Sequence, residues 1–258
     1  MPLENVGRIK SIIKKEDKIK IEFSSNWKSL ILSNDSFTDN YYYVGKELSK
    51  KEYDRILAQT NDEKFIKYAV NICNKKAYTK KEIIDKLKAK GAEKKTIERV
   101  VEKLKAYSYI DDKKFVEDYV FSHNQKNDGK IRIINGLKEK GISESLIKKL
   151  YFDIDEEISK AKNLLSNLIN KHANKSKIKQ KEAIISSLIR KGFTYDIALI
   201  SYDSLDKSLI KDDSEKIKKV VFSLKAKNYE KDIIIKKLMA KGYKYNDILC
   251  VLEEVNDE

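Results

Sequence analysis

Cysteine and histidine are scarce in this 258-residue chain: Cys73 and Cys250, His123 and His172. None has a companion at ligand spacing, so the sequence offers no disulfide framework and no metal site. Both cysteines read as small core residues. Proline occurs once, at Pro2, and glycine eight times, so little inside the chain can break a helix. No apolar run reaches about 18 residues, which excludes a transmembrane helix. MPLENVGRIK has no apolar signal core, so a cytoplasmic location is expected. There is no GxxxxGK[ST] loop, GxGxxG, HExxH or GxSxG, and neither catalysis nor a cofactor is expected. The acidic pairs Asp111-Asp112, Glu156-Glu157 and Asp212-Asp213 read as helix caps rather than as metal or acid–base pairs.

What is abundant is charge. Charged residues make up 37% of the chain and apolar residues 41%, with a net charge of +14. That mixture suits amphipathic helices, and the surplus favours a polyanionic partner. A composition rich in Lys, Ile and Asn also fills exposed positions with lysine by default. Clustering of the charge favours the functional reading.

Order comes from a repeat. Leu87–Gly91, Leu137–Gly141, Leu188–Gly192 and Leu238–Gly242 share L-x-x-K-G, with glycines 50, 51 and 50 residues apart. Ile83, Ile133, Ile184 and Ile234 precede each glycine by eight residues. Ile97, Ile147, Ala198 and Ile248 follow it by six. Matched apolar positions at this period mean stacked supersecondary units. Each glycine suits the left-handed position after a helix.

In chain order, Lys18–Phe23 alternates as a half-buried strand. Val6–Ile13 is its partner across Lys14–Asp17, and Trp27–Leu32 and Tyr41–Val44 add further strand. These make 1–45 a small β cap. The adjacent tyrosines also fit a base-stacking platform, although aromatic residues are ordinary strand formers. A connecting helix is expected over 46–61. Four repeats of three helices follow, over 62–109, 110–154, 155–205 and 206–258. Thr79 and Glu82 have capping-box spacing.

Lys90, Lys140, Lys191 and Lys241 precede the repeat glycines. A cation there offsets the negative end of a helix dipole, and it also sets one positive charge per unit along a row of about 80–100 Å. Residues 170–181 carry five lysines and no acid.

Ile110-Asp111-Asp112-x-x-Phe115, then Gly129-x-x-Arg132-Ile133-x-x-x-Leu137-x-x-Lys140-Gly141-Ile142, resembles the RecX regulatory proteins. Thr79-x-x-Glu82-Ile83-x-x-x-Leu87-x-x-Lys90-Gly91 and Tyr43-x-Gly45-x-Glu47-Leu48 extend the likeness over nearly the whole chain. Departures are Lys130 where the family often has proline, Gly136 where it usually has glutamate, Val116 for alanine and Tyr78 for arginine. The resemblance implies a mainly α fold of tandem three-helix repeats in an elongated, curved monomer with a small N-terminal β element. It implies binding along a RecA–single-stranded-DNA filament, without catalysis. Such binding inhibits ATP hydrolysis, strand exchange and coprotease activity in repair, recombination and the SOS response. Contacts to double-stranded DNA are also within that expectation. Lys130, Arg132, Lys138 and Lys140 are the first contact candidates. Arg190, Lys191 and the lysines Lys171, Lys175, Lys177 and Lys179 come next, with Lys90 and Lys241 at the outer repeats. The alternative is a sequence-nonspecific DNA binder acting without RecA, and a purely structural helical scaffold is the third reading.

Overall fold

The computed structural model describes residues 6–16, 18–38 and 40–257. Pro2, Asp17 of the expected hairpin turn and Glu258 lie outside them. The chain forms two compact units that divide between Phe115 and Val116.

In the first unit β1 (Val6–Lys15) and β2 (Lys18–Phe23) form an antiparallel hairpin with Ile12 opposite Ile21. β3 (Leu30–Leu32) pairs with β2, and a short helix α1 (Asn34–Thr38) follows. β4 (Glu47–Ser49) closes on β1, giving the order β3-β2-β1-β4. Ile19, Ile21 and Phe23 alternate onto the buried face with Leu30, Leu32 and Leu48, as a period of two requires. Tyr41–Val44 is not strand. Tyr41 and Gly45 take left-handed backbone (φ 45° and 94°), which turns the chain out of the ladder before β4.

Ser49 and Glu52 cap α2 (Lys50–Cys73) reciprocally. This one helix replaces the connecting helix expected over 46–61 and also supplies the first helix of repeat one. No glycine or proline lies between residues 50 and 73 to stop it. Its start covers the sheet through Tyr53 and Ile56. Its end packs Phe65 and Ala69 against α3 (Lys80–Ala89) and α4 (Lys94–Ala106). Arg99 grips the buried Asp62 carboxylate with two hydrogen bonds, of 2.5 and 2.9 Å, fixing α4 to α2. The Thr79–Glu82 capping box is present.

The division between the units falls within α5 (Asp112–Gln125). The second unit continues with α6 (Lys130–Glu139), α7 (Glu144–Ile147), α8 (Ile154–Lys171), α9 (Lys177–Arg190) and α10 (Tyr195–Asp203). A short 3-10 turn at Lys207–Leu209 leads to α11 (Ser214–Lys225), α12 (Lys231–Ala240) and α13 (Tyr245–Asp257). The third helix of repeat two, α7, is a single turn of four residues, shorter than its counterparts.

The L-x-x-K-G motif is a helix stop. Gly91, Gly141, Gly192 and Gly242 all have positive φ. The N–H of the next residue (Ala92, Ile142, Phe193 or Tyr243) donates to the carbonyl of the motif leucine at 3.0–3.2 Å. This is the Schellman pattern, which satisfies a carbonyl the helix would leave open. The four leucines are fully buried, so one residue serves both core and cap.

A second device couples neighbouring repeats. The first amide of each of three middle helices is held by a carboxylate from the following repeat. Lys80 N–H donates to Asp112 (2.9 Å), Lys130 N–H to Glu157 (3.0 Å) and Lys177 N–H to Asp213 (3.1 and 3.0 Å). Each acid sits at or near the start of its own helix. Asp111, not Asp112, caps α5, accepting from Lys113 and Lys114. The Lys130 amide is thereby in use, and proline there would have no N–H to give Glu157.

Candidate nucleic-acid interface

In the second unit the C-terminal end of α9 meets the N-terminal end of α6. Gly129 N–H donates to Lys191 O and Ile131 N–H to Gly192 O, both at 3.0 Å. The contact is backbone on backbone: a Cβ at Gly129 would collide with Gly192, and one at Gly192 with Arg132. The open amides of α6 thus find the open carbonyls of α9, so the positive end of one helix meets the negative end of the other.

Asp128 is the charged centre of this junction and is buried. Its carboxylate receives Lys191 Nζ at 2.8 Å and His123 Nδ1 at 2.7 Å, with Arg132 Nε at 3.6 Å. Burial pushes its pKa up. Hydrogen bonds from Lys191 and His123, with the charges of Lys191 and Arg132, outweigh burial and hold it below the usual carboxylate value. Tyr119 stacks on His123 with ring centroids 4.1 Å apart. The Tyr119 hydroxyl occupies the space a side chain at 136 would need, which accounts for glycine at Gly136 inside a helix.

Around this centre the structure brings four expected site residues together. Arg132, Lys171, Arg190 and Lys191 line a cavity of about 260 Å³ walled by Leu164 and Leu168. Lys171 lies at the end of α8, and Arg190 and Lys191 at the end of α9. Arg132 stands on the first turn of α6. A second cavity, of about 430 Å³, shares Arg132 and Arg190 and includes Tyr119, His123 and Asn135. His172, near the first cavity, is bonded to Ser187, which also accepts from Arg190 at 3.0 Å. Its pKa is lowered by burial and then by the charges of Lys175, Lys171 and Arg190.

The next junction has the same plan. Ser176, the N-cap of α9, donates its hydroxyl to Lys241 O (3.1 Å) at the end of α12. Lys175, Lys179 and Lys241 line a cavity of about 280 Å³ there, beside Val220 and Tyr243.

The remaining expected positions are dispersed. Lys138 is exposed, while Lys130 and Lys140 are half-buried. Lys177 bonds Asp212 at 2.7 Å, tying the start of α9 to the segment before α11. Lys90 belongs to the first unit, with Nζ 5.5 Å from the Tyr68 ring centroid. Sequence reasoning missed Asp128 as a hub and Lys160 as its neighbour. Lys160 pairs with buried Glu157 and donates to Asn124 Oδ1 and to Asp128 O. Among the described residues no cluster of three or more His, Cys, Asp or Glu side chains can hold a metal, and no helix is long and apolar enough to cross a membrane.

The family model described as RecX, first three-helix domain, matches residues 66–104. A regulatory protein RecX from Clostridium tetani (strain Massachusetts / E88) is 30% identical over 115 residues, covering 43% of this chain and 53% of the relative. One from Lactococcus lactis subsp. cremoris (strain SK11) is 32% identical over 124 residues, covering 43% and 44%. The chain thus spans about half the length of the curated relatives it matches. A crystal structure of a regulatory protein RecX superposes with TM-score 0.62 at 21% identity, over 77% of this chain and all of that one. That likeness establishes the fold. The RecX structure from Lactobacillus salivarius gives TM-score 0.52 at 27% identity, over 57% of this chain and 97% of that one. Family model, relatives and solved folds agree with the motifs in the repeats: over part of its length this chain is similar to RecX regulatory proteins, and it shares their helical fold.

Proposed function

We propose that the chain is a non-enzymatic regulator that binds the RecA–single-stranded-DNA filament as a monomer. Bound there, it restrains the filament's ATP hydrolysis, strand exchange and coprotease activity. The observation that carries this reading is the convergence of Arg132, Lys171, Arg190 and Lys191 on one cavity at a repeat junction. Side chains from three helices supply that charge, so its position depends on the repeats being stacked. Phosphates or carboxylates along a filament are the ligands that suit it. The relatives named regulatory protein RecX favour a regulator over a scaffold.

The test is single-stranded-DNA-dependent ATP hydrolysis by RecA with substoichiometric protein added. A steep fall well below one molecule per RecA subunit is expected. The Lys171→Glu/Arg190→Glu variant should lose the effect yet keep its helical signal and melting temperature, because both side chains are exposed. Arg132 is a poorer site for charge reversal because it lies 3.6 Å from buried Asp128.

A second reading is a sequence-nonspecific DNA binder that acts without RecA. The exposed group Lys175, Lys179 and Lys241 favours it, since lysines without base-reading partners serve as phosphate contacts. Inhibition appearing only when the DNA itself is saturated would select this reading and sink the first.

A further inference from the structure

The first unit displays an aromatic surface that the filament reading does not use. Tyr41 is 85% and Tyr43 63% exposed, on either side of Tyr42, which is 7% exposed and belongs to the core. Solvent is a poor environment for phenol rings, yet this loop is built to hold them there. Lys46 Nζ donates to Asn40 O (2.9 Å) and Tyr41 O (3.2 Å), and Arg8 Nε donates to Gly45 O (3.2 Å). Gly45 N–H donates to Ile9 O and Lys46 N–H to Tyr43 O. Tyr41 itself is held at φ 45°, a region tyrosine seldom adopts. The loop is thus fixed before any partner arrives, which lowers the entropy lost on binding.

The surroundings are aromatic and cationic. The Tyr42 ring lies 5.5 Å from that of Phe37. Lys46 Nζ lies 5.2 Å from the Tyr42 centroid and Lys14 Nζ 5.5 Å from the Phe37 centroid. The cations sit on the buried and half-buried rings beside the exposed Tyr41 and Tyr43, and exposed rings next to lysines are the chemistry that receives a flexible anionic chain of planar groups.

We propose that the Tyr41–Tyr43 loop is a stacking site for unpaired bases of single-stranded nucleic acid, with Arg8, Lys14 and Lys46 attracting its backbone. The proposal goes beyond filament regulation and requires no RecA. Its test is RecA-free titration of the full chain with an oligothymidylate and with an abasic oligonucleotide of equal length. Wild type should bind the base-bearing strand about 10-fold more tightly, as one stacked base implies. Tyr41→Ala/Tyr43→Ala should lose that preference while its abasic affinity and salt dependence stay unchanged. Tyr41→Phe/Tyr43→Phe keeps both rings and should keep the preference, which separates stacking from a folding defect. Equal preference in wild type and the alanine variant, or none in wild type, overturns the proposal. So does a surface that serves a protein partner, which would weaken RecA binding with both oligonucleotide affinities intact.

Discussion

Where α9 ends on α6, two backbones touch; where α12 ends on α9, a serine side chain stands between them. At the first junction Gly129 and Gly192 admit no side chain, and Lys191 is drawn onto the buried Asp128 carboxylate. At the second, Ser176 bridges to Lys241 O, and the lysine itself is exposed. α9 has fourteen residues against ten for α6 and α12, and Lys179 of its first turn lines the cavity at that junction. One sequence motif therefore does two jobs. Lys191 serves the packing of repeat two on repeat three, whereas Lys241 leaves its charge at the surface. Equivalent residues in a repeat protein share a backbone position without sharing a role.

The largest test of this difference is at the glycines. Gly192→Ala should cost about 3 kcal/mol or more, because the added Cβ meets the backbone of Arg132 and Gly129 and cannot be relieved by a rotamer change. Gly242→Ala also has positive φ, but its Cβ meets the side chains of Lys179 (2.8 Å) and Ser176 (2.9 Å). It should cost roughly 1–2 kcal/mol. Denaturant melts of the two variants check this, and equal losses would dissolve the contrast.

The lysines give a smaller effect. Lys191→Gln should cost about 1–2 kcal/mol because it leaves buried Asp128 without its nearest cation. Lys241→Gln should stay within about 0.5 kcal/mol. Thermal melts at matched salt measure both.

The smallest effect is pH-dependent. The Asp128 carboxyl is held below its ordinary value in the folded state. Its contribution is therefore present above the unfolded value of about 4 and is lost as pH falls through the lower folded value. The stability gap between wild type and Asp128→Asn should be flat from neutral pH down to about 5 and narrow below about 4. A gap that widened on acidification would reverse the assigned sign.

Much of the architecture was readable from local spacing. The helix stops were legible because a left-handed glycine and a buried leucine leave a fixed pattern. The Thr79–Glu82 cap was legible for the same reason. The acids were read as caps, but the helices that Asp112, Glu157 and Asp213 serve start 27–36 residues earlier. Nothing local marks such a partner. Asp128 was not legible as a buried charge, since its burial depends on α9 arriving from a later repeat. The tyrosines were misplaced as strand because propensity favoured it, whereas Lys46 and Arg8 bind the loop carbonyls and settle the turn. Lys171, Arg190 and Arg132 were each named, but their shared cavity was not legible, because three helices have to converge to make it.

The carboxylates passed from one repeat to the one before it give the molecule a direction. A middle helix is completed by chain that has not yet been synthesised when the helix itself leaves the ribosome. Repeat two cannot close the start of α6 until Glu157 has emerged, nor repeat three the start of α9 until Asp213 has. Each of these three middle helices thus waits on its successor, and removing chain from the C-terminal side reopens the first amide of the helix upstream as well as losing the repeat removed.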